Sequence, residues 1–526
     1  MNAPSQRKPV RAALNGLILG GLFFITGCYE GREPADLTII NGQDPASFDP
    51  ALISGVEDFR VARALFEGLT RIDPRTAQAV PGLAESWSLS GDEKTYTFVL
   101  REGLKWSTGA PINSQDLYRS WLRFLDNKSV SPYRSLLDVI KRVDGVPAIH
   151  TPDDRSLVVE LEQKTPYFLD LCAMATMAAA PVDLIEKAGP QWLKTKPLPC
   201  SGPYTLVDWR LNDRIRLKRN PNYWDAANTQ SETVDLLVCG PNTAFNLYHS
   251  EAVDLIWDKS MIPTELTQAL SDSPNYHAFP SLGIYFVRLN ITRPPLDNIY
   301  VRKALALAID KERLVQRVVL GQHVPATRFV PPGTDRYASG LAFISNIPKA
   351  KQALKEAGYG ESQPFPSLEI LFPSSGANSI FENMAVELRD QWKEHLGVEL
   401  SLRRMEKQVF FANQKKLNYD ISCSTWLGDY NDPTTFLDIM LSKSGNNRTG
   451  WKKADYDALL KEAARQNREQ QRTHLLRKAE DLLIFDECPV IPLYYDSGFF
   501  MIDPGRIGGI YPNILATHPI RTIFRR

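Results

Sequence analysis

Residues 81–116 read PGLAESWSLSGDEKTYTFVLREGLKWSTGAPINSQD, and their pattern sets the architecture of everything around them. Gly91-Asp92 turns the chain ahead of a strand at Thr95 to Leu100, and Thr108-Gly109 makes a second turn. Trp87, Tyr96, Phe98 and Trp106 supply aromatic anchors for a hairpin. Ser114 then opens a helix through Leu125, with Leu117, Trp121 and Phe124 on one face. Taken alone, the stretch is a hairpin feeding a capped helix.

Upstream, Leu37 to Asn41 reads as a strand, and Val56 to Leu69 as a helix carrying Phe59, Ala62, Leu65 and Phe66, closed by Gly68. Downstream, strands at 284–290 and 490–495 alternate with long helical patterns at 301–320, 377–395 and 454–485. The 301–320 helix follows Pro294-Pro295-Leu296-Asp297 and stops at Gly321. Such alternation predicts an α/β fold. A chain of 526 residues is long enough for two to four domains at about 150 residues each.

Charge excludes some partners. Lys plus Arg and Asp plus Glu are 61 each, so no strong field calls for nucleic acid or an acidic membrane. The N-terminus points to export. Arg7, Lys8 and Arg11 precede an apolar run at 12–27, too short for a comfortable span of about 20 residues but suited to a secretory signal. The run ends in Ile25-Thr26-Gly27-Cys28, which resembles a bacterial lipobox, where cleavage after residue 27 leaves a lipidated Cys28 as the first mature residue. Residues 28–35 then form a lipid-anchored linker. Five further cysteines, at 172, 200, 239, 423 and 488, are far apart and odd in number, and are read as small core residues.

Enzyme signatures are missing. The mature sequence holds no G-x-S-x-G, H-E-x-x-H, G-x-x-x-x-G-K or S-x-x-K, and its seven histidines are isolated. No metal or cofactor is called for.

Binding equipment is concentrated at 418–440, NYDISCSTWLGDYNDPTTFLDIM. A strand through Tyr419, Ile421 and Cys423 breaks at Gly428 into a turn-rich loop, with Asp432 and Pro433 as start signals for a helix at 434–440. Free backbone groups, an aromatic side chain and a carboxylate come together there. These suit an extended ligand with a positive end.

The 81–116 string is similar to the signature of the peptide, opine and nickel family of solute-binding proteins, which serve ABC importers. Cys200-Ser201-Gly202-Pro203-Tyr204 and Asn220-Pro221-Asn222-Tyr223-Trp224 extend that likeness along the mature chain. Trp426-x-x-Asp429-Tyr430-Asn431-Asp432-Pro433-Thr434-x-Phe436-Leu437 resembles the oligopeptide-binding members. The resemblance implies a two-lobed periplasmic-binding-protein fold of type II, with three domains, a hinge and an interlobe ligand cleft. Lobe I would combine residues 36–67, 187–281 and 497–526, with 68–186 as the extra domain of lobe I and 282–496 as lobe II. The chain would cross between lobes near 281 and 496.

The same resemblance implies a site. The backbones of Thr425, Trp426 and Leu427 on one lobe and of Ser54, Gly55 and Val56 on the other would flank a peptide by strand addition. Asp429 would pair with the peptide's α-ammonium, Tyr133 would line the same site, and Trp426 would form an apolar wall. Where family members carry basic or aromatic groups for the ligand's carboxyl end, this sequence has Cys423, Gln414, Lys407 and Phe381. Recognition of that end is therefore expected to be altered, with Lys407, Arg403 or Arg404 as substitutes, with the ligand's acid left in solvent, or with a modified or cell-wall peptide as ligand. The expected function is capture of short peptides by a monomeric, lipid-anchored receptor that hands them to the permease and ATPase subunits of an importer. Other solutes, such as a nickel chelate or an oligosaccharide, are the alternative within the family, and an exported hydrolase or chaperone lipoprotein the alternative outside it.

Overall fold

The computed structural model describes residues 33–526 apart from 127–132, 264–265, 321–322, 338–339, 361–362, 375–379 and 467. The signal segment, Cys28 and the start of the 28–35 linker lie outside the described residues. Among the described residues no helix is long and apolar enough to cross a membrane.

Two long strands organise the molecule. Tyr276–Leu289 and Val490–Ile502, of 14 and 13 residues, pair antiparallel along most of their length. Their apolar residues recur on both faces, as expected of strands covered on both sides. They form the middle of an eleven-stranded sheet. To one side lie Leu255–Ile256, Leu37–Gly42, Thr233–Val238, Arg214–Arg219 and Tyr204–Arg210; to the other lie Ile421–Leu427, Leu368–Pro373 and Leu400–Met405. Leu37–Gly42 pairs parallel with Thr233–Val238, and Leu368–Pro373 pairs parallel with Leu400–Met405 across the helix Ile380–Leu396. This is the α/β architecture that the alternating pattern predicts.

The pairing of the two long strands is interrupted between Pro280 and Ile284. A side chain at Gly283 would place its Cβ 2.6 Å from the Asp496 Cβ and 2.8 Å from the Leu427 Cδ2, so glycine is required for this close approach. Three large apolar cores surround the sheet. One is built from residues between 282 and 495, one from 37–66, 175–279 and 500–523, and one from 51–179 together with Tyr430. Glu480 ties the first core together: its carboxylate accepts from Arg328 Nε and Nη2, from Tyr337 Oη and from the Phe329 and Val330 amides.

The hairpin at 81–116 forms as its sequence suggests. Ala84–Leu89 pairs with Thr95–Leu100, placing Trp87 opposite Phe98 within a four-stranded sheet. The helix Ser114–Leu125 buries Leu117, Trp121 and Phe124, but its cap is Asn113, whose side chain accepts from the Gln115 and Asp116 amides. Ser114 instead donates to the Asp153 carbonyl.

Several helix ends differ from the pattern. Val56–Leu65 stops before Gly68, because Phe66 is already extended. Gly68 serves close packing, since a Cβ there would collide with the Cys172 carbonyl. The 301–320 pattern splits into Ile299–Leu307 and Lys311–Val318, because Asp310 accepts from the Arg313 amide and restarts the helix. The 454–485 pattern likewise divides into Ala454–Arg465 and Glu469–Asp481. Cys172, Cys200, Cys239, Cys423 and Cys488 are all free thiols, and all but Cys239 are buried.

Candidate functional site

The loop 428–433 is held from both ends. Strand Ile421–Leu427 pairs on one side with the long strand, Leu427 opposite Gly283 and Thr425 opposite Tyr285. On its other side it pairs only through Ile421 and Ser422, so the edge from Cys423 to Leu427 has no strand partner among the described residues. Thr425 and Leu427 are exposed there. Trp426 is partly buried, and its Nε1 donates to the Thr435 carbonyl at 2.7 Å. After the strand, the Asp429 amide donates to Thr435 Oγ1, and Asp432 caps Thr434 while pairing with Arg472 at 2.8 Å. The backbone is thus fixed on both sides of the Asp429 carboxylate.

That carboxylate lines a cavity of about 310 Å³, shared with Leu427, Tyr430, Val56, Phe59, Arg63 and Tyr133 among others. It accepts no hydrogen bond and meets no cation from the described residues. Burial therefore pushes its pKa up to about 7. Tyr133 stands beside it. The Tyr133 hydroxyl donates to the Ser54 carbonyl at 3.3 Å, its ring meets Phe59 edge-on, and burial followed by the Asp429 charge pushes it up to about 12.

The opposite wall begins at Ser54. The Ser54 and Gly55 amides both donate to Asp58 Oδ2, at 2.9 and 3.1 Å, so these two donors are already used. Val56 is the first residue of its helix, where the amide has no intrahelical acceptor, and its side chain is exposed on the cavity. Val56, Tyr133, Leu427 and Asp429 therefore meet around one cavity. Thr425, Trp426, Ser54 and Gly55 flank it without lining it.

Asp170, which the sequence reading passed over, is a further carboxylate on this cavity, beside Asp429 and Glu67. Burial, then the nearby Asp432 and Asp335 charges, push it up to about 7. Nothing in its local sequence distinguishes it; only the fold brings Phe168–Cys172 beside the 428–433 loop.

The positions expected at the ligand's far end have been rebuilt. Cys423 is fully buried, with Sγ near the Phe381 carbonyl. Gln414 is also buried: its Nε2 donates to Ser422 and Ser424 at 2.7 and 3.2 Å, and its Oε1 accepts from Arg448 at 3.1 Å. Arg403 is tied to Glu369 and Arg404 lies 3.6 Å from Glu382, while Lys407 is exposed with no ion pair among the described residues. Two other arginines occupy this region. Arg288 donates to Ser424 and the Asn447 carbonyl, and burial pushes it down to about 10; neither it nor Arg448 pairs with a carboxylate among the described residues. Among the described residues no group of His, Cys, Asp and Glu side chains could hold a metal ion.

The sequence profile of the bacterial extracellular solute-binding proteins, family 5, matches residues 78–448. The chain belongs to that family. This solute-binding protein is 33% identical over 500 residues to the periplasmic oligopeptide-binding protein OppA of Escherichia coli, covering 91% of this chain and 90% of the relative. It is 32% identical over 518 residues to the dipeptide-binding protein DppE of Bacillus subtilis, covering 91% and 93%. Its structure is similar to that of the periplasmic oligopeptide-binding protein OppAIV of Borrelia burgdorferi, with a TM-score of 0.81 at 29% identity, covering 94% of this chain and 100% of the other. Its family is one of binding proteins.

Proposed function

We propose that this protein is the substrate-binding component of an ABC importer, that it captures short peptides by their amino end in the cavity at Asp429, and that it delivers them to the permease and ATPase subunits. The observation that carries this reading is Asp429 itself. It is a carboxylate in a cavity, with no cation partner among the described residues, two residues beyond a strand edge that is unpaired among them. A peptide brings an ammonium for the carboxylate and alternating donors and acceptors for the edge. A charge-assisted hydrogen bond of this kind contributes about 1.5–3 kcal/mol.

The lobes would be those implied by the resemblance, residues 36–67, 187–281 and 497–526 with the extra domain 68–186 facing 282–496. The strand interruption between Pro280 and Ile284 and its neighbour Asp496 support a hinge at the two crossings. Closure requires only that the ligand bind the closed form better than the open one. No bond is made or broken, and the protein acts as a monomer.

Its location would be the periplasm or cell envelope, with residues 1–27 removed as a signal peptide and Cys28 carrying the lipid. Cys28→Ser should move the protein from the membrane fraction to the soluble fraction and abolish incorporation of labelled fatty acid. Native mass spectrometry of the purified protein tests the ligand class. A retained mass that fragments as a peptide supports the reading, and retention of a metal chelate or sugar refutes it.

A further inference from the structure

The cavity at Asp429 contains a charge that amino-end recognition does not use. The helix Val56–Leu65 turns the stripe Val56, Phe59, Arg60 and Arg63 toward it, residues spaced so that they share one helix face. Most cations on the cavity are matched. Arg60 lies 3.2 Å from Asp258 and over the Trp257 ring. Arg71 and Arg521 share Asp225, at 2.7 and 3.5 Å. The Glu67 carboxylate accepts from Tyr223 and Trp224, each at 2.7 Å.

Arg63 is the exception. Its Nη1 donates to Thr517 Oγ1 at 3.2 Å, its Nε is buried without an acceptor, and its guanidinium rests over Phe59. No carboxylate from the described residues pairs with it, just as no cation pairs with Asp429. Burial pushes both groups toward their neutral forms, Arg63 down to about 10 and Asp429 up to about 7. Tyr133 lines the same cavity as both. One cavity thus holds a buried cation, Arg63, with no carboxylate partner among the described residues, and two carboxylates, Asp429 and Asp170, with no ion pair among them.

We propose that Arg63 forms a subsite for an acidic side chain on the first residue of the bound peptide, pairing with its carboxylate while Asp429 holds that residue's α-ammonium. This rests on the peptide reading above. A ligand whose backbone leaves along the open edge at Thr425 to Leu427 has its first side chain as the part able to enter the cavity. A volume of about 310 Å³ is at the low end for ligand pockets and suits one side chain. An amino-terminal Glu or Asp carries both complementary charges on one residue. A neutral first residue leaves the guanidinium uncompensated, and a basic one sets like charges together.

Calorimetry with Glu-Ala-Ala, Gln-Ala-Ala, Lys-Ala-Ala and Ala-Ala-Ala tests this at low ionic strength. The wild-type protein should bind Glu-Ala-Ala about tenfold more tightly than Gln-Ala-Ala, with Lys-Ala-Ala weakest. Arg63→Gln should bring the Glu and Gln peptides within about twofold of each other. Thr517→Val, which removes the hydrogen bond that orients the guanidinium together with the one the Thr517 hydroxyl donates to the Leu515 carbonyl, should narrow the gap by a smaller factor. Equal affinities for the Glu and Gln peptides on the wild-type protein overturn the subsite, as does a tenfold gap that survives in a folded Arg63→Gln. Ala-Ala-Ala separates the two levels. If it binds and the gap is missing, only the Arg63 subsite fails; if none of the four binds, the peptide reading fails as well.

Discussion

The rings of Tyr167 and Tyr430 stack 3.9 Å apart and 7° from parallel, joining the loop that carries Asp429 to the core built from residues 51–179. Tyr430 is the next residue after Asp429 and is buried, so the stack anchors the carboxylate's own backbone. The contact links chain segments on the two sides of the cavity. It is therefore expected to belong to the closed, ligand-holding form. Tyr167→Ala should weaken peptide binding roughly three- to tenfold, in line with the ~0.5–1.5 kcal/mol of an aromatic pair. Small-angle scattering should show a less compact protein at saturating ligand. Unchanged affinity and compaction would remove the stack from closure.

Asp429 should show opposite effects on binding and stability. Asp429→Asn should weaken a free-amino peptide by at least about tenfold, and N-acetylating the peptide should weaken wild-type binding to a similar degree. The same substitution should raise the melting temperature of the ligand-free protein at pH 8, because it removes a buried, unpaired carboxylate. Equal calorimetric affinities for all three combinations would be incompatible with the proposed role.

Asp429 also sets a pH dependence. Its folded-state pKa, up at about 7, lies above the unfolded value, so the stability it contributes is present at low pH and is lost as pH rises through 7. Asp170 and Asp438, also pushed up to about 7, act in the same direction. The proposed pairing with an ammonium requires the ionised form of Asp429. Affinity should therefore hold above pH 7 and fall by roughly tenfold per pH unit well below it, with proton release shrinking to zero at high pH. Calorimetry in two buffers of different ionisation enthalpy would detect the proton; flat affinity between pH 5 and 8 would contradict the assignment.

Glu480 is the residue whose loss should be most damaging away from the cavity. Its side chain is fully buried, pairs with Arg328 at 2.6 Å and also serves Tyr337 and two backbone amides. Glu480→Ala leaves the buried guanidinium without this partner and should destabilise the protein by about 3–5 kcal/mol in denaturant unfolding. A loss under about 1 kcal/mol would mean that Asp481, 2.6 Å from Arg328 Nη1, takes over the pair.

Gly283 gives the hinge region its own test. Gly283→Val should lower both thermal stability and peptide affinity, because the new side chain overlaps Asp496 and Leu427 where the long strands lose register. Normal values for both would show that this crossing has room to spare.

Much of this was legible in the chain itself. Alternating apolar residues and turn residues located the hairpin, the strand before Gly428 and the α/β architecture, because those signals are local and depend on side-chain period. Helix ends were less legible. Gly68 resembled a helix stop but is a packing glycine, and Asp310 was hidden inside an apolar pattern that continues past it.

The sequence by itself determined that a carboxylate, Asp429, would stand at the end of a strand with free backbone beside it, because strand, turn and cap follow from neighbouring residues. It also showed that Cys423 and Gln414 could supply no charge. Only the tertiary structure decided what surrounds that carboxylate. Arg63, Tyr133 and Asp170 come from segments hundreds of residues away in sequence, and the fold likewise brings Arg288 and Gln414 to the same Ser424 hydroxyl. Their charges matter because folding removes them from water without giving Arg63 or Asp429 a counterion among the described residues, and that balance exists only once the distant walls of the cavity have met.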